Sequence, residues 1–190
     1  MAEAIVTNNN DQTLFLDRDG VINVENPLQY INTWDEFIFY DGVKEALRIL
    51  ATRFKYIFVV TNQRGVAKGL TKAEDLDMIH RNMLTEINNA GGRIDKVYFC
   101  TDLEPNSPNR KPNSGMGLRA KKDFDAIDFS RSVMVGNNLS DMEFGRTLGC
   151  KTIFLPTTLP DTILPDPRID AVYLSLLDFA RAIEAGSYTF

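Results

Sequence analysis

Cysteine is scarce in this chain: its 190 residues include two, Cys100 and Cys150. Each ends an apolar run far from the other, so they read as reduced core thiols. A disulfide framework is excluded, and the cytosol is the expected compartment. Long hydrophobic runs are missing too. Nothing approaches the ~20 apolar residues of a membrane span. Residues 1–10 have no basic segment and only the short patch Ala4, Ile5, Val6, so they do not read as a secretory leader. Positive charge is in deficit, with 21 Lys and Arg against 26 Asp and Glu and a net charge of −5. A protein that coats nucleic acid is thereby disfavoured. An anionic ligand is disfavoured as well, unless cations are gathered at one place. Internal repeats are absent, and residues 1–190 read as one domain large enough for its own core.

What is present is an alternating pattern. Short β-branched and aromatic runs at 13–16, 56–60, 97–100 and 133–135 each stop in a polar loop, as strands buried on both faces do. Helical periodicity lies between them. Asp41 is a candidate cap for a helix with Val43, Ala46, Leu47 and Leu50 on one face, and Thr71 with Glu74 forms a capping box ahead of Leu76, Ile79, Met83 and Ile87. Gly91-Gly92 stops that second helix. Further helices are expected at 115–126, 140–148 (ended by Gly149) and 176–184, with strands at 152–155 and 171–174. The proline-rich stretch 156–167 reads as a surface connection. The predicted fold is α/β: a three-layer, Rossmann-like parallel sheet with helices on both faces and no cap domain, since the intervals 23–41 and 66–109 leave no room for one. Ligands of such sheets bind beyond the carboxyl ends of the strands, where the polar loops converge.

The loop after the first run reads Phe15-Leu16-Asp17-Arg18-Asp19-Gly20-Val21-Ile22-Asn23. Two carboxylates on one side of a strand end repel each other and want a cation. Three other strings follow in order: Val59-Val60-Thr61-Asn62-Gln63-Arg64-Gly65, then Arg110-Lys111-Pro112 with Gly115-Met116, then Met134-Val135-Gly136-Asn137-Asn138-Leu139-Ser140-Asp141. Together they resemble the motifs of the haloacid dehalogenase-like phosphatases over residues 12–186. The nearest likeness is to the subgroup that holds heptose bisphosphate and histidinol-phosphate phosphatases.

The resemblance implies a Mg²⁺-dependent phosphomonoesterase. Hydrolysis of a phosphate monoester demands an acceleration of up to about 10²¹, so nucleophile, metal and proton donor must act together. Asp17 would attack phosphorus and form an aspartyl-phosphate, while Asp19 would protonate the leaving oxygen and then activate water. Thr61 and Lys111 would complete the catalytic set. Asn62, Gln63, Arg64, Lys68 and Arg110 would bind substrate, and Asp17, Asp19, Asn137 and Asp141 would hold Mg²⁺. The implied partner is a small phosphorylated metabolite, with no nucleic acid or membrane, and the protein is expected as a monomer or small homo-oligomer.

Two departures qualify this reading. The fourth motif of the family is Gly-Asp-x-x-x-Asp, and Asn137 stands at its first carboxylate. One negative charge has left the metal site, which makes a catalytically degenerate phosphate-binding module the alternative. Between Thr101 and Arg110 there is neither Cys nor His, so no zinc is expected there and turns should hold the loop 102–109. Closure over substrate would fall to the segment 26–36, with Tyr30 and Trp34, or to an oligomeric neighbour. His80 shares the apolar face of its helix and reads as a packed core histidine. The expected locus of binding is a cleft made positive by Arg18, Arg64, Lys68, Arg110 and Lys111.

Overall fold

A computed structural model describes residues 11–26 and 29–188. The leader reading of residues 1–10 lies outside this range, as do positions 27 and 28 of the 26–36 segment. Six strands, β1 (Thr13–Leu16), β2 (Tyr56–Asn62), β3 (Lys96–Cys100), β4 (Ser132–Gly136), β5 (Lys151–Phe154) and β6 (Ala171–Val172), form one all-parallel sheet in the order β3-β2-β1-β4-β5-β6. The helices α1 (Val43–Ala51), α2 (Ala73–Asn89), α3 (Gly115–Asp123), α4 (Leu139–Leu148) and α5 (Leu176–Glu184) cover it.

Side-chain alternation along the strands makes the three layers. Leu14, Leu16, Ile57, Val59, Val133 and Val135 face Leu47, Leu50, Ile79, Met83, Phe179 and Ile183 of α1, α2 and α5. Phe15, Phe58, Val60 and Met134 face the other way, against Met116, Ala120 and Phe144 of α3 and α4. β1 and β4 are buried along their whole length because they are sheathed on both sides. The expected α/β architecture is therefore present. Among the described residues no cap is inserted: residues 17–42 hold a 3₁₀ turn (Trp34–Glu36) and two isolated bridges at Asn23, and residues 63–72 hold turns alone.

Several local readings need correction. The residue before α1 is Gly42 and not Asp41; at φ +76 its missing Cβ would meet the Leu177 side chain at 2.5 Å, so packing of α5 selects glycine over a capping carboxylate. Thr71 does not cap α2. Its hydroxyl donates to Asn32 Oδ1 (2.7 Å), and Lys72 occupies the cap position without a side-chain bond. α3 stops at Asp123 because Phe124 turns onto Phe58 and Tyr56, with ring centroids 4.9 and 5.0 Å apart. β3 is not buried on both faces: it is the sheet edge, and Lys96 and Phe99 are exposed. Trp34 stacks on Phe37 at 5.1 Å and joins the core, away from the cleft.

The strand order reverses at β1. From there β2 and β3 lie on one side and β4, β5 and β6 on the other, so the crevice of the sheet opens between the ends of β1 and β4. Asp17 N donates to Val135 O (3.0 Å) and prolongs the pairing past both strands. Just beyond, Gly20 takes φ +86, and a Cβ there would stand 2.0 Å from Asn137 Nδ2. Gly20→Ala is expected to lose roughly 1–3 kcal/mol through left-handed strain and overpacking. Urea unfolding checks this, and an unchanged midpoint would show that the two loops are not in close contact.

Candidate active site

A cleft of about 920 Å³ lies over the carboxyl ends of β1, β2 and β4. Every candidate catalytic, substrate-binding or metal residue named from sequence, from Asp17 to Asp141, lines it, whereas Arg18 does not. At its floor the Lys111 ammonium sits between two carboxylates, 2.8 Å from Asp17 Oδ1 and 2.7 Å from Asp141 Oδ1. The second Asp141 oxygen accepts from the backbone N–H groups of Asn137 (3.2 Å) and Asn138 (3.0 Å), closing a capping box on α4. Burial pushes the Asp17 carboxyl up to about 7, with Asp141 and Asp19 adding to the rise and Lys111 opposing it. Burial alone would disfavour the Lys111 charge, yet Asp141 and Asp17 hold its pKa above the ordinary lysine value.

Asp19 behaves oppositely. Burial pulls its carboxyl upward, but the Arg18 guanidinium and hydrogen bonds from Arg18, Asn23 and Gln63 outweigh it and keep Asp19 ionised. Arg18 Nη2 reaches both carboxylate oxygens at 2.8 and 2.9 Å, Asn23 Nδ2 donates at 2.9 Å and Gln63 Nε2 at 2.8 Å. Arg18 itself is fully buried. Its Nη1 lies 3.2 Å from His80 Nε2, 62 residues away in sequence. Guanidinium only donates, so His80 accepts. Burial, then the Arg18 charge, lower its pKa to about 3 and leave it neutral.

A metal is tested by its donors. Asn137 is buried, and its Nδ2 donates to Glu25 Oε2 (3.1 Å) and Thr158 Oγ1 (2.7 Å), while its Oδ1 has no hydrogen-bond partner. An orphaned buried acceptor in a residue that lines the same cleft as Asp17 is what a hard cation seeks. Among the described residues no three His, Cys, Asp or Glu side chains are gathered into a cage. The fit is thus to a cation that takes few protein ligands and keeps its waters, as Mg²⁺ does.

Known proteins match this arrangement. A family profile described as HAD-hydrolase-like matches residues 108–178. The D-glycero-alpha-D-manno-heptose-1,7-bisphosphate 7-phosphatase of Campylobacter jejuni is 40% identical over 144 residues, 76% of this chain and 81% of the relative. The chain belongs to the haloacid dehalogenase-like phosphatases. The Yersinia pestis D-glycero-beta-D-manno-heptose-1,7-bisphosphate 7-phosphatase is 33% identical over 182 residues, 90% of this chain and 95% of its own. Among solved structures, the D,D-heptose 1,7-bisphosphate phosphatase from B. bronchiseptica, complexed with magnesium and phosphate, superposes with a TM-score of 0.82 at 26% identity, covering 92% of this chain and 99% of that one.

Within the phosphatase site, two side chains expected to bind substrate are otherwise engaged. The Asn62 amide clamps Lys111 from both ends, donating to Lys111 O and accepting from Lys111 N, each at 3.0 Å. Gln63 Nε2 is shared between Asp19 and Thr61 Oγ1 (2.9 Å), which leaves the Thr61 hydroxyl proton to donate. Arg64, Lys68 and Arg110 form the rim. Lys68 lies over the Tyr30 ring at 5.3 Å, and Arg110 donates to Leu103 O in the loop after β3. That loop is stitched by Ser107 donating to Asp102 and by Asn113 Nδ2 donating to Pro105 O (3.0 Å) and Ser107 O (2.9 Å).

The expectation of a positive cleft also needs correction. Arg18 is sealed beneath it and neutralised by Asp19. The lining has four cations (Arg64, Lys68, Arg110, Lys111) and four anions (Asp17, Asp19, Glu25, Asp141), so it is balanced and divided into an acidic floor and a basic rim. Glu25, Thr158 and His80 are the functional neighbours that sequence reasoning missed. They join the site across wide separations and belong to no motif string.

The raised Asp17 pKa has a signed consequence. The folded protein holds this proton more tightly than the unfolded chain between the ordinary value of 3.8 and about 7, so Asp17 contributes stability below that window that is lost as pH rises through 7. In metal-free buffer, the stability of Asp17→Asn relative to the native protein should therefore rise from pH 4 to pH 8, whatever its offset. Denaturant titrations at several pH values measure it, and a flat difference would place the Asp17 pKa near its ordinary value.

Proposed function

We propose that this protein is a capless, Mg²⁺-dependent phosphomonoesterase that removes phosphate from a D-glycero-D-manno-heptose 1,7-bisphosphate. The observation that carries the reading is Asp17 itself: a carboxylate at the switch point of the sheet, paired with Lys111, facing a cleft with an acidic floor and a basic rim. The names of its relatives supply the sugar. They divide between the alpha and beta anomers, so both belong in the assay.

The Asp17 carboxylate attacks phosphorus, the bond from phosphorus to the sugar oxygen breaks, and an aspartyl-phosphate forms. The leaving oxygen takes a proton from Asp19. In the second half Asp19 accepts a proton from water, whose oxygen attacks the same phosphorus and restores Asp17. In the resting protein Asp19 is an anion with Arg18, Asn23 and Gln63 upon it, so it must take up a proton before the first half and is ready as it stands for the second. The Thr61 hydroxyl, its oxygen already accepting from Gln63, donates its proton to a phosphoryl oxygen. The Asp17 carboxylate and Asn137 Oδ1 would hold Mg²⁺, with the Asp19 backbone carbonyl as the family's third donor and Asp141 acting through Lys111 and the loop N–H groups. Bound there, the ion would neutralise phosphoryl charge and favour ionised Asp17. Oxygen donors and a loop without Cys or His support magnesium over zinc. Arg64, Lys68 and Arg110 are placed for the substrate's second phosphate.

We place this work in the cytoplasm, on a small soluble metabolite, by a monomer or small homo-oligomer. No helix among the described residues is long and apolar enough to cross a membrane, and the net charge of −5 disfavours a nucleic-acid track.

Phosphate release from the two heptose bisphosphate anomers, with histidinol phosphate as competitor, should require Mg²⁺ and stop with chelator. Asp17→Asn should lower kcat by about 10⁴-fold or more. Undiminished turnover in that variant would overturn the mechanism, and preference for histidinol phosphate would overturn the substrate. Lys68→Ala and Arg110→Ala should each raise KM for the bisphosphate about 10-fold, the scale of one charged hydrogen bond, and leave KM for a monophosphate ester unchanged. Equal effects on both substrates would remove these residues from the second-phosphate site.

A further inference from the structure

An amide at a cation site has a problem that a carboxylate does not. Its oxygen attracts the ion and its NH₂ repels it, and a rotation of the side chain exchanges the two. Asn137 stands where the family carries an aspartate, so its orientation decides whether the site accepts a cation. Here both amide hydrogens are taken. Nδ2 donates to Glu25 Oε2 at 3.1 Å and to Thr158 Oγ1 at 2.7 Å, and the Thr158 hydroxyl in turn bonds the Glu25 carboxylate. A carboxylate can only accept, so the nitrogen must face Glu25 and the oxygen must face away. That oxygen, Oδ1, is buried without a donor in a residue that is 2% exposed.

The charge balance points the same way. An amide in place of a carboxylate removes one negative charge from the position, and Glu25 returns one a single hydrogen bond away. A second carboxylate in place of the Asn137 amide could not coexist comfortably with Glu25 at this distance, because two anions would then meet with no donor between them.

We propose that Glu25, assisted by Thr158, is a positioning residue that turns the Asn137 amide so that Oδ1 faces Mg²⁺, and that its carboxylate replaces the charge lost at residue 137. Asn137 and Glu25 then form a working pair in which the negative charge has moved one side chain outward, and the site is adapted, not degenerate. This rests on the magnesium reading for the identity of the ion alone.

The test is Mg²⁺ binding by calorimetry on the whole chain without substrate, in a two-by-two set: the native protein, Glu25→Ala, Asn137→Asp and the double variant. Glu25→Ala should weaken Mg²⁺ about 10-fold or more, the scale on which groups behind a ligand act. In the Asn137→Asp background the same change should leave affinity unchanged or tighten it, because it removes a repulsion. Glu25→Gln, which keeps an acceptor but no charge, should fall between. A sign reversal of this kind is not produced by general loosening of the loop, and melting curves in chelator check that each variant folds. Native Mg²⁺ binding with no loss in Glu25→Ala, or equal losses in both backgrounds, would overturn this inference alone. Absence of Mg²⁺ binding by the native chain would overturn the magnesium reading and this inference with it.

Discussion

The Lys111 ammonium between Asp17 and Asp141 is the interaction on which the rest of the site depends. It ties the loop after β1, the first turn of α4 and the approach to α3 to one charge at the floor of the crevice. Removing one partner of a buried ion pair typically costs 3–5 kcal/mol, because the other charge is stranded. The protein accordingly secures Lys111 twice, through its side chain and through the reciprocal Asn62 bonds to its backbone. Asp141 is secured as well by two backbone N–H groups at the start of α4, so the site's charge geometry and the helix cap are one structure.

A second, parallel arrangement lies beside it. Arg18, entirely buried, neutralises Asp19 and is itself met by His80, whose neutral ring is the only kind that could accept from a guanidinium. The two aspartates, separated by a single residue, therefore have opposite electrostatics: Asp17 is pushed toward protonation and Asp19 toward ionisation. Environments that push two carboxyl pKa values apart are how one site assigns distinct roles to identical side chains. Here the difference comes from which cation each meets, a shared lysine for Asp17 and a dedicated arginine for Asp19.

The acidic net charge finds its place in this layout. Arg64, Lys68 and Arg110 stand at the rim and the carboxylates, with Lys111 among them, at the floor, so an incoming phosphate meets the three rim cations first. A balanced lining becomes positive only when a cation is bound. Metal binding and attraction of an anionic substrate are then coupled by simple electrostatics.

Much of this was legible in the linear sequence. Alternating apolar runs and helical periodicities determined the three-layer parallel sheet, because a strand with no polar face can only be a strand covered on both sides. The motif strings located Asp17, Asp19, Thr61, Asn62, Gln63, Arg64, Asn137 and Asp141 at the cleft. Helix caps were misread at Asp41 and Thr71, since the packing of Leu177 and the acceptor on Asn32 lie far off in sequence and compete with local capping preferences. That the Asn62 and Gln63 amides also hold Lys111 and Asp19 was not legible, because an amide's partners are set by what stands within about 3 Å and not by its neighbours in the chain. Residue identity and spacing determined which functional groups this protein has and the sheet edge at which they meet. Only the tertiary structure decided their charge states and orientations, for burial, the facing cation and the choice of hydrogen-bond partner are properties of three-dimensional proximity.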